Sequence, residues 1–114
     1  MNRLNIIDEP ITLAATTVLG YAAGQTFPSR LAVCTAAFAI TLPPIRSTSS
    51  TTLPGLVTEG CGAIEMTFYA TGANAVTLAA ASGDTLLTVP TIATANAKAT
   101  VKADPATTTW YVIG

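Results

Sequence analysis

The chain of 114 residues contains no histidine, which removes the most common general base and the most common zinc ligand. Its six carboxylates are scattered along the sequence, apart from the neighbours Asp8 and Glu9. Asp84 follows Ser82 and Gly83 in a sequence typical of a turn, and no second acid follows at the spacing of a calcium-binding loop. We therefore expect no enzyme activity, no catalytic residue, no metal site and no cofactor.

Charge is also scarce, at 10% of residues against about 25% in an ordinary soluble domain. The five basic residues are dispersed and the formal net charge is −1, so the clustered basic footprint of a nucleic-acid-binding protein is missing. The longest apolar run, Leu31 to Leu42, is too short to span a membrane, and Asp8-Glu9-Pro10 interrupts any signal-like segment. We expect synthesis in the cytosol and no nucleic acid, membrane or small-molecule substrate as partner.

Cysteine occurs only twice, as Cys34 and Cys61. A disulfide between them would stabilise the fold by about 3–4 kcal/mol in the chain-entropy picture. A chain made in the cytosol normally keeps its thiols reduced, and a buried cysteine then packs as a small hydrophobe. We expect two thiols, with the disulfide as the alternative.

Aromatic residues make up only 6% of the chain, whereas alanine and threonine occur 21 times each. Small side chains bury little apolar area, at about 25 cal/mol per Å², so a single domain of this size has a modest core. Association with other chains would compensate for that core. We therefore expect a homo-oligomer, and specifically a trimer.

Alternating apolar and polar residues predict strands throughout the chain. The central example is Gly62 to Leu78, in which two alternating segments flank Thr71-Gly72-Ala73-Asn74, and this pattern predicts an antiparallel hairpin. Seven or eight such strands predict an all-β fold, namely a small antiparallel β-sandwich, jelly roll or barrel-like domain. The predicted core consists of Phe38, Ile40, Leu42, Ile64, Met66, Phe68, Val76, Leu78, Val101 and Val112.

The sequence divides into an N-terminal arm, residues 1–10, and a single β domain, residues 11–114, with a long loop at residues 45–61. The arm is apolar and ends at a proline, so it either folds back on its own domain or reaches a neighbour. The loop is rich in serine and threonine, and its length is typical either of an interaction segment or of a merely flexible insertion.

Four short segments carry a resemblance to a known class of proteins. They are Phe38-Ala39-Ile40-Thr41-Leu42-Pro43, Ala75-Val76-Thr77-Leu78, Ser82-Gly83-Asp84-Thr85 and Trp110-Tyr111-Val112-Ile113-Gly114. In this order they resemble the small β-rich virion proteins of tailed bacteriophages, particularly capsid decoration (cement) and head-fibre proteins. The resemblance covers residues 24–114, and the Ser/Thr-rich loop at residues 46–60 departs from it.

The resemblance implies a non-catalytic protein on the outside of the phage head, often trimeric, that clamps neighbouring major capsid subunits. Its localisation would be the host cytoplasm during assembly and the outer capsid surface of the virion afterwards. The arm and the loop are the segments best suited to reach the capsid. The expected capsid contacts are Leu4, Ile6, Ile7, Arg46, Leu53, Pro54 and Leu56.

The alternative function is a tail-fibre or baseplate module that attaches to host glycans. In that case Trp110 or Tyr111 would stack on sugar rings. Because both residues lie in the closing strand, core packing or a subunit interface is the more common use for them. A free-standing bacterial binding module is a third class, but it would usually need a secretion signal.

Overall fold

The computed structural model describes residues 6–45, 61, 63–73 and 75–114, and these residues contain nine strands and no helix. Because they contain no helix, no long apolar helix capable of crossing a membrane occurs among them. The strands form two sheets, one of six strands in the order β1-β3-β5-β8-β9-β7 and one of three strands in the order β2-β4-β6. Their bounds are Ile11–Leu13 (β1), Thr17–Val18 (β2), Leu31–Cys34 (β3), Phe38–Thr41 (β4), Glu65–Ala70 (β5), Val76–Ala79 (β6), Thr85–Leu86 (β7), Lys98–Asp104 (β8) and Thr109–Val112 (β9).

The first six strands alternate between the two sheets, and each of the first four pairs in parallel with the strand two places later. The chain therefore passes repeatedly from one sheet to the other, so that β1, β3 and β5 are neighbours in one sheet and β2, β4 and β6 are neighbours in the other. We call these six strands the winding. Similar corners recur in it, since the backbone N–H of Thr35 donates to the carbonyl of Leu13 and that of Thr71 donates to the carbonyl of Cys34.

The strands β7, β8 and β9, with the segment between β7 and β8, form what we call the closing region. Strand β8 runs antiparallel to β5 and to β9, whereas β7 is parallel to β9. Ile92 makes an isolated antiparallel bridge with Val76 of β6. The closing region therefore covers the last strand of the winding in both sheets.

The prediction of an antiparallel sandwich, jelly roll or barrel is wrong, because the winding pairs its strands in parallel. The predicted central hairpin is wrong for the same reason: β5 and β6 lie in different sheets, and the chain between them changes sheet without reversing a strand against its neighbour. Parallel strands are usually covered on both faces and then read as continuous apolar runs. Here one face of each sheet is open to solvent, so the parallel strands show the alternation that is typical of antiparallel ones.

The inward-facing side chains of both sheets form one hydrophobic cluster. Seven predicted core residues are buried in it, and the remaining three, Phe38, Ile64 and Val112, are partly buried against it. Alternation therefore assigned the inner and outer faces correctly although it did not assign the strand pairing. The buried seven are Ile40, Leu42, Met66, Phe68, Val76, Leu78 and Val101.

Candidate functional site

The described part of the N-terminal arm is docked on its own domain. Ile7 forms a parallel bridge with Ser29, donating its N–H to the carbonyl of Pro28 at 3.1 Å, and the Ser29 hydroxyl donates to the carbonyl of Glu9 at 2.6 Å. Ile6 is buried in the core of the single chain, with 8% of its surface exposed, and its predicted contact with a capsid stays a prediction. Ile7 is the exposed apolar member, at 36%.

An ion pair accompanies this docking. The Arg30 guanidinium donates through Nε to the Asp8 carboxylate at 2.5 Å, and both side chains are largely solvent-exposed. An exposed pair of this kind is worth about 0–1 kcal/mol, so burial of Ile6 contributes more to holding the arm. Leu4 lies outside the described residues, and its predicted contact with a capsid stays a prediction.

The predicted loop contacts Arg46, Leu53, Pro54 and Leu56 also lie outside the described residues. The two ends of the loop are described, and they are held together. The backbone N–H of Cys61 donates to the carbonyl of Pro44 at 2.8 Å, and that of Ile45 donates to Oδ2 of Asp84 at 3.0 Å. Asp84 is thus the turn residue that the sequence predicted, with Gly83 before it at a positive φ of 91°, and it also anchors the loop.

Trp110 and Tyr111 point to opposite faces of β9. Trp110 is completely buried in the core, and its Nε1 has no hydrogen-bond partner within the described part of the chain. Tyr111 is 40% exposed on the outer face of the six-stranded sheet. Of the two roles predicted for these residues, core or interface, Trp110 therefore has the core role. Tyr111 lies at the surface.

The outer face of the six-stranded sheet carries a cluster of exposed apolar side chains. Tyr111 and Ile113 lie on this face of β9 and its extension, and Leu87 follows β7 in register beside Tyr111. Leu87 is 62% exposed and Ile113 is 54% exposed. We call this set of three the outer apolar cluster. It was missed from the sequence because only the strand order brings residues 87, 111 and 113 together.

The described residues offer little chemistry of the catalytic kind. A groove of about 210 Å³ lies between β6 and residues 89–93, but its lining side chains are apolar or hydroxyl-bearing and none is charged. No group of three acidic or cysteine side chains among residues 6–45, 61, 63–73 and 75–114 could hold a metal ion.

Both cysteines are buried thiols, and no disulfide joins Cys34 to Cys61, as the sequence predicted. Burial raises the pKa of the Cys61 thiol to about 12, and the nearby Asp84 carboxylate contributes to the increase. Burial likewise raises the pKa of the Cys34 thiol. A raised pKa lowers the fraction of reactive thiolate at neutral pH, as is typical of buried cysteines that serve as packing groups.

The part of the chain that the structure describes presents three surfaces, a docked arm, the closed base of a loop and an open sheet face, and no cleft lined by reactive groups occurs within that part. Comparison of this chain with protein family models, with characterised proteins and with solved structures finds no match.

Proposed function

We propose that this chain is a structural virion protein, a capsid decoration protein that binds the outer surface of a tailed-phage head and stabilises contacts between major capsid subunits. The sequence resemblance supplies the class of virion protein and the capsid partner. The observation that best supports a structural role is the combination of an exposed apolar cluster with a low content of charged residues. Leu87, Tyr111 and Ile113 are exposed together, whereas charged residues make up 10% of the chain.

Decoration depends on many weak contacts repeated by the symmetry of the shell, so that effective affinity comes from multivalency. Ile7, exposed on the docked arm, and the loop at residues 46–60, closed at its base by Pro44 and Cys61, are the proposed capsid contacts of each copy. Because the chain carries few charges, the binding is expected to depend only weakly on salt. The trimer expected from the sequence stays a prediction.

The test is occupancy on purified heads that lack this protein. The burial of Ile6 rules out deletion of the whole arm as a clean test, because the deletion would also open the core. We would instead compare Ile7→Asp and the double variant Leu53→Asp with Leu56→Asp against Thr77→Asp, which changes an exposed residue of β6. Loss of occupancy in the first two variants, with Thr77→Asp decorating normally at low and high salt, is expected.

Normal decoration by all three variants would place the contacts elsewhere. Failure of the unmodified chain to bind heads at any concentration would contradict the decoration function itself.

The second candidate function, a tail-fibre or baseplate module for host glycans, is favoured by one observation, the exposure of Tyr111. Trp110 cannot serve as a stacking platform because it is completely buried. Binding of the chain to host-surface polysaccharide, abolished by Tyr111→Ala but kept by Tyr111→Phe, would favour this candidate over decoration.

A further inference from the structure

One row of side chains on the outer face of the six-stranded sheet reads the same from either side of the middle of the sheet. This row runs across the strands through Leu31, Thr67, Thr100 and Ile113, as the register of β3, β5, β8 and the end of β9 gives it. The row is therefore apolar, hydroxyl, hydroxyl, apolar. Its midpoint is the boundary between β5 and β8.

A neighbouring row carries opposite charges on the two sides of the same boundary. Glu65 of β5 is the register partner of Lys102 of β8. Neither residue forms an ion pair within 4 Å among the described residues, where the Lys102 ammonium donates instead to the carbonyl of Ala63 at 3.4 Å. Glu65 and Lys102 are both exposed on the outer face.

We infer that this face is a self-complementary interface, at which two copies of the chain pack face to face about a twofold axis that runs along the boundary between β5 and β8. In such a pair the same patch of each copy meets the other, so residue i contacts j and j contacts i. Ile113 of one copy then lies over Leu31 of the second copy. Glu65 of each copy faces Lys102 of the other, so two ion pairs form.

The centre of the face can be buried at low cost. The hydroxyls of Thr67 and Thr100 bond to each other at 2.9 Å, and the Tyr69 hydroxyl donates to Oδ1 of Asn96 at 2.5 Å. Burial of a polar group is costly only when it is left without a hydrogen-bond partner. Because the Tyr69 hydroxyl and one of the two threonine hydroxyls already donate within one chain, a second sheet that covers them leaves only the other threonine hydroxyl in need of an acceptor.

The composition of the face also suits a second copy. The contact of Ile113 with Leu31, which occurs twice in the pair, provides its hydrophobic part. The formal net charge of −1 leaves little repulsion between two copies. The inference does not depend on the proposed function, because it concerns association in solution, and it favours a dimer over the trimer expected from the sequence.

The decisive experiment reverses one of the two charges in each of two variants. In Glu65→Lys the face carries two bases at this position, and in Lys102→Glu it carries two acids, so each variant repels its own copies. We expect each variant alone to associate at least about tenfold more weakly than the unmodified chain in sedimentation equilibrium. An equimolar mixture of the two is expected to recover a dimer, because position 65 of each copy then faces an opposite charge at position 102 of the other.

A second pair of variants tests the apolar part of the same face. Ile113→Asp is expected to abolish the dimer, whereas Val18→Asp is expected to keep it, because Val18 is 44% exposed on the other sheet. Circular dichroism and thermal melting check that each variant folds. A chain that stays monomeric at all concentrations, a trimer, or a mixture no stronger than either charge variant alone would overturn the inference.

Discussion

The winding and the closing region are built from strands of similar length, yet they use them differently. In the winding, parallel neighbours such as β3 and β5 are separated by a strand of the other sheet and by the long loop. In the closing region, β8 and β9 are antiparallel neighbours joined by a short turn at residues 105–108. Along the sequence, the strands of the first part therefore pair with partners that are distant in the chain, and the last two strands pair with each other across a short turn.

The two ends of the winding differ as a result. At one end β8 pairs with β5, and Ile92 bridges to Val76 of β6, so the last strand of the winding in each sheet has a neighbour. At the other end, no strand within the described ranges pairs with the outer edge of β1, and the outer edge of β2 is met by Thr26, whose N–H donates to the carbonyl of Val18. Exposed strand edges are templates for further pairing, and short strands limit that risk. Strand β1 has three residues and β2 has two.

The strand that joins the two regions is β5, which has the parallel β3 on one side and the antiparallel β8 on the other. We expect Phe68→Ala in this strand to lower the free energy of unfolding by about 3–5 kcal/mol, because Phe68 is completely buried. Phe27→Ala is the control, since Phe27 is 37% exposed. Urea unfolding measures both, and equal losses in the two variants would show that β5 does not lie between the regions.

Asp84 directly precedes β7, and its carboxylate accepts a hydrogen bond from the backbone N–H of Ile45, which follows β4. This bond links the start of the closing region to the winding. Asp84→Ala leaves that donor without its charged acceptor and is expected to cost about 1–3 kcal/mol. The matched control is Asp104→Ala, because Asp104 accepts exposed, local bonds from Ala106 and Thr107. A loss from Asp104→Ala as large as that from Asp84→Ala in urea unfolding would contradict the link.

Cys61, beside this link, gives a pH-dependent test. Its pKa in the folded chain is raised from 9.0 to about 12, so above pH 9 the unfolded chain releases the thiol proton while the folded chain keeps it. Stability is therefore complete below pH 9 and falls between pH 9 and pH 12, by up to about 1.4 kcal/mol per pH unit. We expect Cys61→Ala to reduce this slope when unfolding is measured at pH values between 9 and about 12. An unchanged slope would mean that Cys61 is not buried.

The sequence predicted the faces of the strands better than their partners, and the reason is physical. Alternation of Met66 and Phe68 with Glu65 and Thr67 reports only which side of a sheet is buried, and it is the same for a parallel and an antiparallel neighbour. The turn after Ala70 needs the same flexible residues whether it reverses a strand or carries the chain to another sheet. The pairing is decided by contacts between residues far apart in sequence, which no local pattern records.

The same limit applies to the candidate surfaces. The apolar character of Ile6 and Ile7 was visible in the sequence, but only the bridge to Ser29 separates the buried residue from the exposed one. Likewise, the alternation of Lys98, Thr100 and Lys102 predicted a solvent face. It could not predict that Glu65 and Tyr111 lie beside Lys102 on the same face.

Every surface assignment depends on the parallel winding, and a thiol cross-link tests it most directly. In a variant with Leu31→Cys and Thr67→Cys, a short thiol-specific cross-linker should join the two positions within one chain, because they are register partners in β3 and β5. In a variant with Thr67→Cys and Thr77→Cys no link should form, because these residues lie in different sheets. Peptide mass spectrometry showing the link between positions 67 and 77, and none between 31 and 67, would contradict the winding.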